Sequence, residues 1–200
     1  MLGSINPLGE RARGSRWGVT VAWFAVTSVG AGAALGAVLG GVGSLAFGSV
    51  DVTVRLVVFA VIVFAGVSFD LGVGGLRLPT IRRQVNEDWL RRYRGWVVGA
   101  GFGAQLGVGV ATIVTTSAVY ASLGAAVLVA SPAAGLAVGA AFGAARAVSL
   151  VGAAGADTPA SVAQLDVRFR RWEGPARIAA AAAQTTLAAG AVLIAIGVTG

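Results

Sequence analysis

Two ionisable side chains, Asp70 and Arg146, lie inside long apolar runs of the sequence. An ionisable group inside a bilayer is expensive and is by default a functional candidate. Asp70 lies about 16 residues and Arg146 about 14 residues into runs that would cross in the same direction, so at about 1.5 Å per residue their depths agree to a few Å. We expect them to pair. The pair could line a solute or ion path, or it could be a structural clamp. Alternatively, Asp70 could lie at the inner membrane interface, with the long side chain of Arg146 extending towards it.

Uncharged polar side chains add a second group of candidates. Gln105 and Gln184 lie at equal distances from the starts of their apolar runs, and hydroxyl groups are densest in the run that contains Gln105. Single hydroxyls often bond back to their own helix, but this density predicts a helix facing the bundle interior. No acidic ring of the kind that selects cations is present, so the path would suit a small solute. The candidate path residues are Asp70, Gln105, Thr112, Thr115, Thr116, Tyr120, Arg146 and Gln184.

Glycine recurs every four residues in three of the apolar runs. In water such helices would lose about 1 kcal/mol per glycine relative to alanine. In a bilayer the same spacing lines one helix face with small residues, so that neighbouring backbones approach closely. We expect these ladders to serve helix packing, either within the chain or against another subunit. Their members are Gly32, Gly36, Gly40, Gly95, Gly99, Gly103, Gly107, Gly135, Gly139 and Gly143.

The amino-acid composition excludes several kinds of chemistry. The chain has 31 glycines, 56% hydrophobic residues, no histidine and no cysteine. This excludes disulfides, thiol redox chemistry, imidazole bases and histidine-held metals or haem. The few carboxylates form no acid–base pair or metal cluster, so we expect no enzyme, no cofactor and no metal. The net charge of +7 comes from arginines in short segments between apolar runs, which favours the lipid bilayer rather than nucleic acid as partner.

The apolar runs predict an all-α membrane bundle of five transmembrane helices. A span needs about 20 residues, and the first and third runs exceed that length. Each of these could be one tilted helix, a broken helix, or a helix with a re-entrant piece, and splitting one would give six spans. The predicted runs are 17–47, 54–73, 96–130, 132–156 and 175–200.

Arginine clusters predict the orientation. They precede the first run, separate the second from the third, and separate the fourth from the fifth. Because arginine-rich loops stay in the cytoplasm, we expect a multi-pass protein of the plasma (inner) membrane with a cytoplasmic N-terminus.

Two basic segments have the pattern of amphipathic helices lying on the membrane. Apolar and aromatic residues recur on one face, with arginines on the others, as interfacial helices show. The alternative is a loop helix packed on other protein. The apolar stripes are Ile81, Val85, Trp89 and Tyr93 in one segment, and Val162, Leu165, Phe169 and Trp172 in the other.

A weak internal repeat has an offset of 79 residues. It relates Trp17 to Trp96 and Gln105 to Gln184. The chain would then be a single transmembrane domain of two parallel copies, 17–94 and 96–173, followed by a final helix, 175–200. Parallel repeats of this kind occur in transporters.

The segment from Gly101 to Gly107, continuing to Thr115-Thr116, Ser131-Pro132 and the stretch 139–143, resembles the transmembrane carriers of cytochrome c biogenesis and disulfide reductants, a group with small-solute exporter relatives. The resemblance implies a bundle of related halves. Those carriers work through two membrane-embedded cysteines, which this chain lacks, so it would be an exporter-like or accessory relative without thiol chemistry.

Two classes of function therefore remain. One is a small-solute transporter or permease, with a polar cavity walled by Asp70, Gln105 and Arg146. The other is a membrane subunit that scaffolds or assembles a larger complex, as a homo-oligomer or with other membrane subunits, through a glycine or aromatic face.

Overall fold

The computed structural model describes residues 5–75, 92–109 and 116–199. The described part is helical, with a short 3-10 turn at Val73–Gly75. Of the predicted positions, Thr112, Thr115 and most of the first amphipathic stripe lie outside these ranges. The helices are α1 (Pro7–Ala12), α2 (Trp17–Phe47), α3 (Val52–Asp70), α4 (Gly95–Val108), α5 (Ala118–Leu128), α6 (Pro132–Val151) and α7 (Pro159–Thr199).

Four helices, α2, α3, α6 and α7, are long and apolar enough to cross a membrane. The chain therefore folds as a membrane-spanning helical bundle. The third apolar run is divided: α4 ends at Val108, Gly109 follows with φ 79°, and α5 begins after Ser117. A φ in this range is readily adopted only by glycine, which explains why α4 ends there.

Helix α2 lies at the centre of one group of helices, formed by α2, α4 and α6. Every glycine of the three predicted ladders packs so closely that an added Cβ would meet a neighbouring atom. Gly32 and Gly36 of α2 face the carbonyl oxygens of Gly139 and Gly135 of α6. Because residue numbers fall on α6 as they rise on α2, these two helices are antiparallel.

Helix α4 packs on another face of α2 in the parallel sense. Gly99 faces Thr20, Gly103 faces Phe24 and Gly107 faces Ser28. Each pair differs by 79 residues, which is the offset of the sequence repeat, so repeat-related positions lie side by side.

Helices α3 and α7 form a second group, with a core of Ala60, Val63, Val67, Ala181 and Ala188. Helix α5 contacts α2, α3 and α6 and so joins the two groups.

The predicted second interfacial helix is the first part of α7 rather than a separate helix. Helix α7 runs for 41 residues and continues through Pro175. It can do so because a single proline removes only one backbone hydrogen bond, which membrane helices tolerate. Leu165 and Val162 pack on Ala153 and Ala156, whereas Trp172 is exposed. The apolar stripe is thus partly a protein contact.

Candidate functional site

The polar cluster around Asp70 lies where α3, α5 and α7 meet. Asp70 is the last residue of α3, and its carboxylate faces the first turn of α5. The Ser117 backbone N–H donates to Oδ1 at 2.8 Å, the Thr116 hydroxyl donates to Oδ2 at 2.9 Å, and Gln184 Nε2 lies 3.4 Å from Oδ2. The carboxylate therefore caps, from another helix, the N-terminus of α5, where the side chain of the N-cap residue Ser117 makes no capping bond.

A carboxylate suits this position for two reasons. The first N–H groups of a helix have no intrahelical acceptor, and the partial positive charge of a helix N-terminus attracts an anion. Both effects are stronger where water is scarce. Ser117 is 1% exposed and Gln184 is 5% exposed, so the cluster is mostly shielded from solvent.

The Ser117 hydroxyl faces two acceptors. Its oxygen lies 2.7 Å from Asp70 Oδ2 and 2.9 Å from Gln184 Oε1. A hydroxyl carries one proton, so it cannot donate fully to both oxygens. When the proton is donated to Asp70, Gln184 Oε1 receives none from Ser117, whereas Asp70 Oδ2 also has the Thr116 hydroxyl and the Ser117 backbone N–H as donors. An N–H or O–H group of a small ligand at Gln184 Oε1 would satisfy this acceptor.

The predicted ion pair between Asp70 and Arg146 is not formed. The Arg146 guanidinium instead lies over Phe142, 5.3 Å from the ring centroid. Equal depth in the membrane does not make two residues neighbours: Arg146 lies on α6, which packs on α2, while Asp70 lies on α3, which packs on α5 and α7.

The remaining predicted site residues are spread over several helices. Gln105 is partly buried on α4, and Tyr120 is partly buried on α5, one turn beyond Thr116. A small cavity of about 20 Å³ lies between α2, α4, α5 and α6. It is lined by Ser122 and otherwise by glycine and apolar residues such as Leu123 and Phe142, and by none of Asp70, Gln105 and Arg146.

Two buried polar contacts were not predicted from the sequence. Ser28, which is fully buried, donates to the Gly143 carbonyl at 3.0 Å where α2, α4 and α6 meet. Glu10, also fully buried, accepts a hydrogen bond from Thr20 at 2.6 Å and pairs with Arg13. Asn6 followed by Pro7, a good cap and first-turn pair, was the sequence signal that could have revealed α1 and Glu10 with it.

At the opposite end of the bundle, Asp51 caps α3. The hydrogen bonds from Thr53 hold the pKa of this exposed carboxyl below its usual range. Asp51 has no part in the Asp70 cluster and provides a matched carboxylate for comparison.

Comparison with known proteins adds one similarity. Over 129 residues the chain is 30% identical to the methylamine utilization protein MauF of Methylophilus methylotrophus. The matched region covers 64% of this chain and 45% of MauF. The chain thus matches less than half the length of this relative. No family model matches the sequence, and no solved structure matches it.

Proposed function

We propose that this chain is a carrier of a small polar solute in the plasma membrane, with the Asp70 cluster as its binding site. The observation that supports this most is the position of the Asp70 carboxylate at the start of α5, where the third apolar run is interrupted. Carriers commonly bind their substrates at interrupted helices, where helix ends and unpaired backbone groups are available.

The interruption also bears on the number of spans. At about 1.5 Å per residue, α4 is about 21 Å and α5 about 17 Å long, so neither alone crosses a hydrocarbon core of about 30 Å. We infer that α4 and α5 together form a fifth, broken span. With the arginine-rich segments inside, the N-terminus is cytoplasmic.

The chemistry of the cluster defines the class of solute. Asp70 Oδ2 and Gln184 Oε1 both face the Ser117 hydroxyl, and its one proton leaves acceptor capacity on Gln184 when it is donated to Asp70. A small solute with several N–H donors, cationic or neutral, complements this set. The absence of cysteine separates such a carrier from the thiol-based carriers that the sequence resembles and leaves it closer to their exporter relatives.

The arrangement of the helices supplies the two parts that a carrier must move. The α2–α4–α6 group is joined through glycine contacts, while α3 and α7 form the other group. The Asp70 cluster draws residues from α3, α5 and α7. A shift of α3 and α7 relative to α2 would therefore open or close the cluster, as alternating access requires.

The experiment uses purified protein in vesicles of phosphatidylethanolamine and phosphatidylglycerol. Uptake of radiolabelled guanidinium, a permanently charged ion with N–H donors, is compared with uptake of urea, its neutral analogue. We expect uptake of at least one probe to exceed that of protein-free vesicles. Asp70→Asn should reduce it by about tenfold or more, since hydrogen bonds to a charged group are worth about 1.5–3 kcal/mol.

Asp51→Asn is the control. It removes a carboxylate of the same type from an exposed cap, and asparagine caps a helix as well as aspartate does, so uptake should stay at the wild-type rate. If neither probe enters above the protein-free rate, or if Asp70→Asn matches Asp51→Asn, the carrier proposal for this site is wrong.

A second candidate function is a subunit that assembles a larger membrane complex. It is favoured by α7, which packs along α3 and leaves large apolar side chains such as Leu187, Leu193 and Ile194 exposed. The predicted glycine ladders do not serve this role, because their faces are filled within the chain. A second chain that co-purifies in fixed ratio from native membranes, with no uptake by the isolated protein, would support this candidate.

A further inference from the structure

A basic crevice of about 500 Å³ lies at the end of the bundle where α2 and α4 begin. Four arginines from two separate segments line it, and none of the described residues that line it is acidic. Its volume lies within the range of about 300–1,000 Å³ that is usual for ligand pockets. The lining arginines are Arg13, Arg16, Arg92 and Arg94.

The two helices direct their N-termini to this crevice. Arg16 precedes α2 and Arg94 precedes α4, and neither helix has a side-chain cap, whereas Asn6, Asp51 and Ser131 cap α1, α3 and α6. Since α2 and α4 are parallel, their dipoles add at this end. The N–H groups of Gly95 and Trp96 are in the first turn of α4, where no intrahelical acceptor exists, and both residues line the crevice.

Arginine suits one ligand chemistry in particular. Its planar guanidinium binds phosphate oxygens through two parallel hydrogen bonds. One of the four, Arg13, is paired with the buried Glu10, so the crevice keeps an excess of positive charge even after this pair is formed. A single phosphodiester between Arg16 and Arg94 would offset one of their two positive charges and could accept hydrogen bonds from both guanidinium groups and from the uncapped helix ends.

The rim of the crevice continues into an apolar, aromatic surface. Val19 lines the crevice, Trp23 lies one turn further along α2, and Trp96 contacts Trp23 with ring centroids 5.6 Å apart. All three side chains are more than two-fifths exposed. Tryptophan prefers the level of lipid headgroups, so the basic crevice and this surface match the polar and apolar parts of a phospholipid.

We propose that this crevice binds a phosphate group, as carried by the headgroup of an anionic phospholipid. Bound there, the phosphate bridges α2 and α4 across their parallel N-termini. This site is separate from the Asp70 cluster, and neither proposal depends on the other.

Native mass spectrometry of the intact protein in a neutral detergent tests the proposal. The lipid probes are phosphatidylglycerol and phosphatidylcholine, and a parallel thermal-shift arm uses inorganic phosphate against chloride at constant ionic strength. We expect phosphatidylglycerol to be retained in preference to phosphatidylcholine. The double variant Arg16→Gln/Arg94→Gln should lose this preference by on the order of tenfold, because each arginine near an anionic lipid surface is worth about 1 kcal/mol.

The control is Arg168→Gln/Arg171→Gln, which removes the same charge from exposed positions of α7 outside the crevice. It should keep the wild-type preference. Stabilisation by inorganic phosphate that only the crevice variant loses would assign the site to a soluble phosphate compound. If both double variants behave alike, or if neither phosphatidylglycerol nor phosphate binds in preference to its comparison, the proposal is overturned. All four arginines replaced are exposed, so folding should persist, and circular dichroism verifies it.

Discussion

At Asp70 a single carboxylate satisfies groups from two other helices. It accepts hydrogen bonds from Thr116 and from the Ser117 backbone of α5, and it lies within 3.4 Å of the Gln184 amide of α7. In a membrane such a group is tolerated only when its partners are in place. The same contacts thus hold α5 against α3 and create the polar site, so structural and functional roles are combined in one side chain.

The stability of the protein should reflect this capping role. Asp70→Ala leaves the Ser117 N–H and the Thr116 hydroxyl without their acceptor, which costs about 1–3 kcal/mol for buried donors. Asp70→Asn keeps an acceptor oxygen and should cost less. The free energy of unfolding, measured by titration with sodium dodecyl sulfate in mixed micelles, should therefore fall in the order wild type, Asp70→Asn, Asp70→Ala. Equal stability of all three proteins would show that the cap is dispensable.

Asp70, Thr116 and Gln184 were all predicted from the sequence as site residues, but the predicted partner of Asp70 was wrong. Its pairing with Arg146 rested on charge and on depth in the membrane, which follow from residue type and from spacing along the chain. Which helices are neighbours is not readable in that way. Ser117 completes the site through both its hydroxyl and its backbone N–H, and a backbone donor leaves no mark on residue type.

At the scale of the elements, the glycine ladders determine which helices come closest. Gly32, Gly36 and Gly139 have no Cβ, so α2 and α6 pack backbone against backbone. Such close approach maximises van der Waals contact, which is what drives helix association in lipid. Ser28 adds one interhelical hydrogen bond to the Gly143 carbonyl.

A pair of glycines on α2 tests this packing. A Cβ at Gly36 would overlap the Gly135 carbonyl, whereas a Cβ at Gly30 would meet nothing within 4 Å. Gly36→Ala should therefore destabilise the bundle by about 1–3 kcal/mol, the usual cost of overpacking. Gly30→Ala should be neutral or stabilising by up to about 1 kcal/mol. The same detergent titration compares them, and equal effects would contradict the proposed contact.

At the scale of the whole molecule, arginines concentrate where α2 and α4 begin and along the first part of α7. This asymmetry predicts that these segments face the cytoplasm. The chain contains no cysteine, so a thiol reagent will label only a cysteine that is introduced by substitution.

The topology prediction uses Ala12→Cys, Ser49→Cys and Ala160→Cys at exposed positions. In intact spheroplasts, a membrane-impermeant maleimide should label only Ser49→Cys, and the other two should react after permeabilisation. If Ala12→Cys and Ala160→Cys were labelled in intact spheroplasts and Ser49→Cys were not, the membrane spans would be supported and the predicted orientation would be wrong. Labelling of Ala12→Cys and Ser49→Cys from the same side would contradict a membrane-spanning α2.

The sequence by itself determined the all-helical, membrane-spanning class, the small-residue faces and the basic end of the bundle, because hydropathy, glycine spacing and arginine placement act locally along the chain. The contacts between α2 and α4 fall at the 79-residue offset of the sequence repeat, while the division of the chain into two repeated copies stays a prediction. Only the tertiary structure decided that α3 pairs with α7, that the third run breaks between α4 and α5, and that Asp70 meets Ser117 and not Arg146. Lateral neighbours in a bundle are chosen by the packing of whole helix surfaces, and a one-dimensional pattern does not contain that choice.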